Sequence, residues 1–338
     1  MMTNPILVDV SRGPIVESRH RGAISVVDGD GHTIIDIGDT ARPVYPRSAI
    51  KAIQALPLVE SGAADAYGFG DAELALACAS HSGEEAHIRL ARSMLDRAGL
   101  PENALECGGH WSPQRDVLIH QARSMSITTP GPIYNNCSGK HAGFLCTAIH
   151  QGETRANYIQ PDHPIMRQVR DTLQDVTGTS LSQAPCGTDG CAIPTYAVPL
   201  SKMAHGFAKM ATGLGLATRR REAARRLLQA CMAQPFYVAG TGRFCTEFMT
   251  RGQGRLFVKT GAEGVYCGAI PELGLGIAVK CDDGNQRGSE TMIAATMAAL
   301  LPATEPLKAI IAELAHRDIK NLNHDVTGQI APTAILQN

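Results

Sequence analysis

Residues 22–37 read GAISVVDGDGHTIIDI. Two β-rich runs, Gly22 to Val27 and His32 to Ile37, flank Asp28-Gly29-Asp30-Gly31, and that arrangement specifies a β-hairpin. A second strand-rich stretch, RLFVKTGAEGVYCGAIPELGLGIAVK, occupies residues 255–280. In it Arg255 to Lys259, Gly264 to Ile270 and Gly274 to Lys280 are separated by short Gly/Pro turns. Strands at both ends with helical periodicity between them predict an α+β fold. One antiparallel sheet, built from both termini and flanked by helices, carries an inserted helical domain. The expected division is 1–60 with 240–338 for the sheet domain and 61–239 for the mainly helical domain.

The intervening helices have readable ends. Helix is expected from about Arg47 to Leu58. Ser82-x-x-Glu85 reads as a capping box opening a helix that keeps Ile88, Ala91, Met94, Leu95 and Ala98 on one face and stops at Gly99. Another helix carries Ile165, Val169, Leu173 and Val176 and ends near Gly178. An Ala- and Arg-rich helix covers about Arg221 to Ala233, and its arginine run reads as a solvated face. Two helices, about Gly288 to Leu301 and Pro306 to His316, follow the late strands, and Asn321 to Asn338 reads as weakly structured.

Composition is that of an ordinary globular protein, 44% hydrophobic and 19% charged over 338 residues. A net charge of -1 and a pI near 6.9 give no general pull toward nucleic acid or membrane. Met1 to Val10 lacks a basic n-region, and no run approaches the ~18 apolar residues of a membrane span, so a cytoplasmic protein is expected. Ten scattered cysteines then read as reduced thiols, available for packing or metal binding.

Several short motifs carry chemistry. Ser48-Ala49-Ile50-Lys51 is a Ser-x-x-Lys tetrad near a helix start, where residues three apart share a face and an amine reaches a hydroxyl. Lys259-Thr260-Gly261 ends a strand. Together these match two of the three marks of penicillin-recognising serine hydrolases; Ser-Asp-Asn is missing, and Tyr134-Asn135-Asn136 is a cheap variant. Ser82 is explained as a cap, whereas Ser80 has no capping duty. Cys137 and Cys191 offer two thiolates to one zinc, although their spacing is not that of a zinc finger and buried free thiols explain them as well. Phosphate-loop and dinucleotide-loop patterns both fail for want of a glycine.

Five blocks in order give these motifs a common context: Pro46 to Lys51, Ala79 to Ser82, Asn136 to His141, Cys186 to Cys191 and Lys259 to Gly264. With them the chain resembles the rhizobial-type (class 3) L-asparaginases over most of its length. The resemblance implies a serine β-lactamase/glutaminase-like fold, a homodimer, and two serine–lysine tandems, Ser48 with Lys51 and Ser80 with Lys259. It also implies Zn2+ held by Cys137, Lys140 and Cys191 with water, and Asp189 beside it. The activity implied is hydrolysis of L-asparagine to L-aspartate and ammonia.

In that chemistry Ser48 attacks the side-chain amide carbon after losing its proton to a neutral Lys51, and Lys259 with Ser80 delivers a proton to the leaving amine. Two thiolates and a neutral amine leave zinc nearly uncharged, which suits holding and positioning more than Lewis-acid activation. By charge complementarity Arg47 would take the substrate carboxylate, Asp189 the ammonium or the zinc water, and His141 the substrate. The rivals are a penicillin-recognising acyl-transfer enzyme, a glutaminase, and a non-catalytic zinc-binding or sensor protein that has kept the fold.

Overall fold

A computed structural model of the chain describes residues 3–124 and 129–336. It divides into two compact units. One comprises Met1–Ala49, Val198–Leu214 and Phe248–Asn338, and the other Ile50–Ala197 and Gly215–Glu247.

The first unit is built on an eight-stranded antiparallel sheet. Its strands are β1 (Ile6–Arg12), β2 (Ile15–Asp28), β3 (Thr33–Ile37), β4 (Phe257–Thr260), β5 (Val265–Ile270), β6 (Leu275–Cys281), β7 (Arg317–Lys320) and β8 (Val326–Pro332). The order is β7-β8-β1-β2-β6-β5-β4, with β3 also paired to β2. The hairpin at residues 22–37 forms as expected, and Asp28 shapes its turn. Its carboxylate accepts from the N–H groups of Asp30 and His32, a local bond that favours a turn over continued strand. β4, β5 and β6 are buried almost throughout because a helix covers each face. Gly276 on β6 admits helix Leu200–Thr212, whose Ala204 carbonyl a β-carbon there would strike. Gly268, paired with Ile277 and so on the opposite face, admits Met297 of helix Gln286–Leu300.

Three expectations about the sheet and the division of the chain differ from what is observed here. Residues 321–336 are not weakly structured: β8 pairs with both β1 and β7, placing Val8 opposite Pro332, while residues 337–338 lie outside the described residues. Its partner in β1 lies more than 300 residues away, so no local pattern announces it. Helix 200–212 falls inside the expected 61–239 helical domain yet belongs with the sheet, because Gly276 opens β6 to its Ala204 and Ala208. Residues 50–60 and 240–247 group with the helical unit.

The second unit is helical apart from a hairpin of Cys186–Thr188 with Pro194–Tyr196. Helix Ser138–His150 runs through its core with Ser138 to Ala148 buried. Gly139 permits this, since a β-carbon would lie 2.5 Å from the Leu76 carbonyl oxygen of helix Asp71–Ala77. Helix Glu85–Arg97 buries Ile88, Ala91, Met94 and Leu95 as its periodicity requires. Its start is not the expected capping box, however. Glu84 occupies the N-cap, and the Ser82 hydroxyl donates instead to the Ala239 carbonyl at 2.9 Å. Helix Pro164–Thr177 ends on Gly178 in the left-handed conformation (φ 65°), where glycine alone is unstrained. On helix Thr218–Ala233, Arg221 and Arg225 are exposed, whereas Arg220 pairs with Glu60 and Asp175 and Arg226 with Asp65. Among the described residues no helix is long and apolar enough to cross a membrane.

Candidate active site

In the sheet unit, Lys259 lies near the end of β4, fully buried, with its amine donating to the Thr260 carbonyl at 2.8 Å. The strand then leaves through Gly261, which needs to be glycine. A β-carbon there would sit 2.7 Å from the Pro46 carbonyl oxygen and 3.1 Å from the Ala49 nitrogen. The Lys259-Thr260-Gly261 strand end therefore abuts Pro46 to Ala49, the turn that carries Arg47 and Ser48. Ser48 is half-buried in a 3-10 turn, Arg47–Ile50, that runs straight into helix Lys51–Gln54. Arg47 has a φ of +51°, a conformation that costs a non-glycine residue of order 1 kcal/mol and gathers at functional positions. Glu263, also left-handed, is held by Lys280, whose amine donates to the Glu263 and Cys281 carbonyls.

In the helical unit, Lys51 is fully buried and its amine is the hub of a cluster. It lies 3.0 Å from Ser80 Oγ, 3.0 Å from Cys137 Sγ, and donates to the Ala79 carbonyl. Lys140, one turn into the core helix, places its amine 3.0 Å from Cys191 Sγ. Cys191 sits at the tip of the 186–196 hairpin, where Asp189 closes the turn: its N–H donates to Ile193, and its carbonyl accepts from Ala192. Ala192 takes a φ of 72°, a second strained non-glycine residue beside a cluster residue. Asp189 Oδ2 is 3.9 Å from Cys191 Sγ.

The charges in this cluster are unusual for an interior. Cys137 is held well below the usual thiol range because Cys191 donates to it and the Lys51 and Lys140 side chains face it, outweighing burial. Cys191 moves the other way: it keeps the proton it shares with Cys137, and burial adds to the rise. Burial acts to lower the Lys140 pKa, but the two sulfurs and Asp189 outweigh it and raise the group above its ordinary value. Two thiols and an amine, each no more than 4% exposed, thus form one donor set. Sulfur and nitrogen donors of this kind fit a tetrahedral zinc with one open position, provided Cys191 and Lys140 give up their protons.

Of the residues read from sequence, Lys51, Ser80, Cys137, Lys140, Cys191 and Asp189 come together in the helical unit. In the sheet unit, the strand end that carries Lys259 abuts the turn that carries Arg47 and Ser48 through Gly261. His141 is buried beside Lys140, with Nδ1 2.6 Å from the Tyr158 hydroxyl, while Nε2 is buried with no hydrogen-bond partner. Burial, reinforced by the Lys140 and Lys51 charges, holds His141 well below its usual pKa. Two further residues support the site. Tyr158 orients His141 and accepts from the Glu106 N–H at 3.0 Å. Asn135 donates to the Cys107 and Gly108 carbonyls and accepts from the Cys137 N–H at 2.8 Å, fixing the turn that presents Cys137. Asn135 stood in view as part of Tyr134-Asn135-Asn136; nothing in the sequence singled out Tyr158.

A sequence model of the family described as L-asparaginase II matches residues 8–332. No curated protein matches the chain. Similar solved structures include a putative β-lactamase from Bacteroides dorei DSM 17855, at 12% identity over 77% of this chain and 84% of that one (TM-score 0.42). A β-lactamase from Mycobacterium bovis is 14% identical over 79% and 89% of the two chains (TM-score 0.41). Mglu in its native form is 18% identical over 90% of this chain and 70% of that one (TM-score 0.38).

Proposed function

The chain belongs to the L-asparaginase II family, and from that premise we propose that it hydrolyses the side-chain amide of L-asparagine, releasing L-aspartate and ammonia through serine and lysine chemistry. The observation that carries the reading is the position of Lys51, a buried amine in simultaneous contact with a serine hydroxyl and a thiol. A buried amine next to a hydroxyl suits proton transfer to and from an attacking oxygen.

In the proposed reaction Ser48 Oγ bonds to the amide carbon as its proton passes to neutral Lys51. The carbon–nitrogen bond breaks, the nitrogen takes a proton and departs as ammonia, and water then hydrolyses the aspartyl ester. Lys259 and Ser80 form the second tandem, serving proton delivery to the leaving amine. Arg47 meets the substrate carboxylate, and Asp189 and His141 complete its recognition. Cys137, Lys140 and Cys191 would hold the zinc, which, left nearly uncharged by the two thiolates, would supply an open coordination position for holding and positioning. The 3.0 Å contact between Lys51 and Ser80 favours a second assignment, in which Ser80 is the hydroxyl that Lys51 deprotonates. The ten free thiols, all buried except Cys186, suit a reducing cytoplasm. The family resemblance supports a homodimer.

Ammonia release from asparagine and from glutamine, with and without added zinc, tests the substrate. Faster release from glutamine would overturn the assignment. Ser48→Ala and Ser80→Ala, each incubated with asparagine and examined by mass spectrometry for an aspartyl adduct, separate the two serines. Near-normal turnover by Ser48→Ala removes Ser48 as the nucleophile.

A further inference from the structure

His81 follows Ser80 in the chain, and it is tied to both neighbours of Cys137. Its backbone N–H donates to the Asn136 carbonyl at 3.1 Å, and its ring Nε2 lies 2.9 Å from Ser138 Oγ. The tautomer follows from the other ring nitrogen. The Gly83 N–H donates to Nδ1 at 3.1 Å, so Nδ1 keeps its lone pair and the proton resides on Nε2, which donates to Ser138. In that state the imidazole cannot accept the Ser138 proton, and both side chains are fully buried. The pair is therefore no nucleophile–base couple.

The ring is also clamped on its flat side. His81 stacks on His87 with centroids 5.1 Å apart and planes at 14°, and His87 stacks on Phe236 at 4.5 Å. His87 Nε2 is anchored to the Phe236 carbonyl at 2.9 Å. Burial, with the nearby His87 and Lys51 charges, pushes His81 well below its usual pKa, so it stays neutral and keeps both bonds. Two hydrogen bonds and a stack thus lock the Ser80 segment to the turn bearing Cys137. Between those two segments lies the Lys51 amine, 3.0 Å from Ser80 Oγ and 3.0 Å from Cys137 Sγ.

We propose that His81 is a positioning residue: by bridging Gly83 and Ser138 it sets the separation of the Ser80 hydroxyl and the Cys137 sulfur across the Lys51 amine. The inference rests on the reading that Ser80 and Lys51 take part in amide hydrolysis. A hydroxyl displaced by about 1 Å from its proton partner loses about a hundredfold in rate while substrate binding is little altered.

The test compares two variants in the full chain. His81→Leu removes both ring bonds. His81→Gln places an amide N–H where Nε2–H stood and keeps the donor to Ser138. His81→Leu should lower kcat by about a hundredfold with KM within about twofold, and His81→Gln should recover kcat to within about tenfold of the parent. A purely packing role would lower Tm in both variants and leave kcat per folded molecule unchanged; that result overturns the proposal. Should His81→Leu not fold, Ser138→Ala removes the same bond from the other side and should also lower kcat, and an unchanged value there is equally decisive against it. Ser80→Ala, measured in parallel, separates the two layers. Full activity in Ser80→Ala defeats the underlying reading, whereas an inactive Ser80→Ala beside a fully active His81→Leu defeats the role of His81 alone.

Discussion

Among the described residues, a cysteine-containing cluster in each unit gathers metal-binding residue types, and the two differ in what their lone pairs are doing. In the sheet unit, ligand atoms of His20, Cys281 and Asp283 lie within 4.8 Å of one another. There Arg287 Nε donates to His20 Nε2 at 2.9 Å, which forces the ring proton onto Nδ1, 2.7 Å from Asp283 Oδ2. Cys281 donates to the other carboxylate oxygen at 3.0 Å. Burial acts to raise the Asp283 pKa, but the bonds from Cys281, the Asn285 N–H and His20 outweigh it and hold the group down to about 2. Every donor there has an acceptor. In the helical unit, by contrast, Cys137 and Cys191 share one proton while the Lys51 and Lys140 amines crowd them. Proximity of ligand types does not distinguish these clusters; competition for protons does. A closed network serves stability, whereas two thiols that compete for one proton beside two amines form a donor set that an ion can take over once Cys191 and Lys140 release their protons.

The comparison can be broken or sharpened at four places. The largest effect should come from Lys51→Met, which removes the hub of the helical cluster. Ammonia release from asparagine should fall by about a thousandfold, and a loss under tenfold would remove Lys51 from the proton transfer. Next, Cys137→Ala and Cys191→Ala should each abolish the zinc measured by elemental analysis, whereas Cys281→Ala should leave it intact. Metal retained in both of the first pair, or lost in the third, would reverse the assignment of the clusters. Third, Arg287→Met should reduce unfolding free energy by about 1–3 kcal/mol in denaturant titration, by stripping His20 of its donor, with turnover preserved. A matching loss of activity would contradict a purely structural cluster.

The smallest effect concerns Asp283, whose side chain is 49% exposed. Its pKa falls on folding from 3.8 to about 2, so its carboxylate contributes stability that is present above 3.8 and disappears as pH drops through about 2. Solvent screening keeps that contribution below about 1 kcal/mol. Asp283→Asn should therefore lower Tm slightly at pH 7, and the gap to the parent should close in acid. A gap that widens below pH 4 would contradict the pairing.

Much of the fold was legible from short-range pattern. The 22–37 hairpin, the three late strands and the helix ending on Gly178 all follow from alternation, turn residues and periodicity within a few positions. The failures share a cause. β8 is recognisable only through its pairing with β1, Ser82 is drawn from its cap by the Ala239 carbonyl, and helix 200–212 is claimed by a glycine on β6. Each is a local preference overridden by a partner distant in sequence. At the site, the Ser-x-x-Lys spacing singles out Lys51, and the folded helical unit adds the contacts of its amine with Ser80 and Cys137, which no local spacing records.

From its order of residues alone, the chain determined an antiparallel sheet drawn from both termini, an inserted helical region, and the inventory of hydroxyls, amines and thiols grouped in five blocks. These depend on interactions a few residues long, which a linear pattern records. Tertiary structure alone decided which amine meets which hydroxyl, which nitrogen of His81 keeps its proton, and which of two Cys-containing clusters is closed. Hydrogen bonds and proton sharing act over about 3 Å, and only folding brings residues far apart in the chain within that reach.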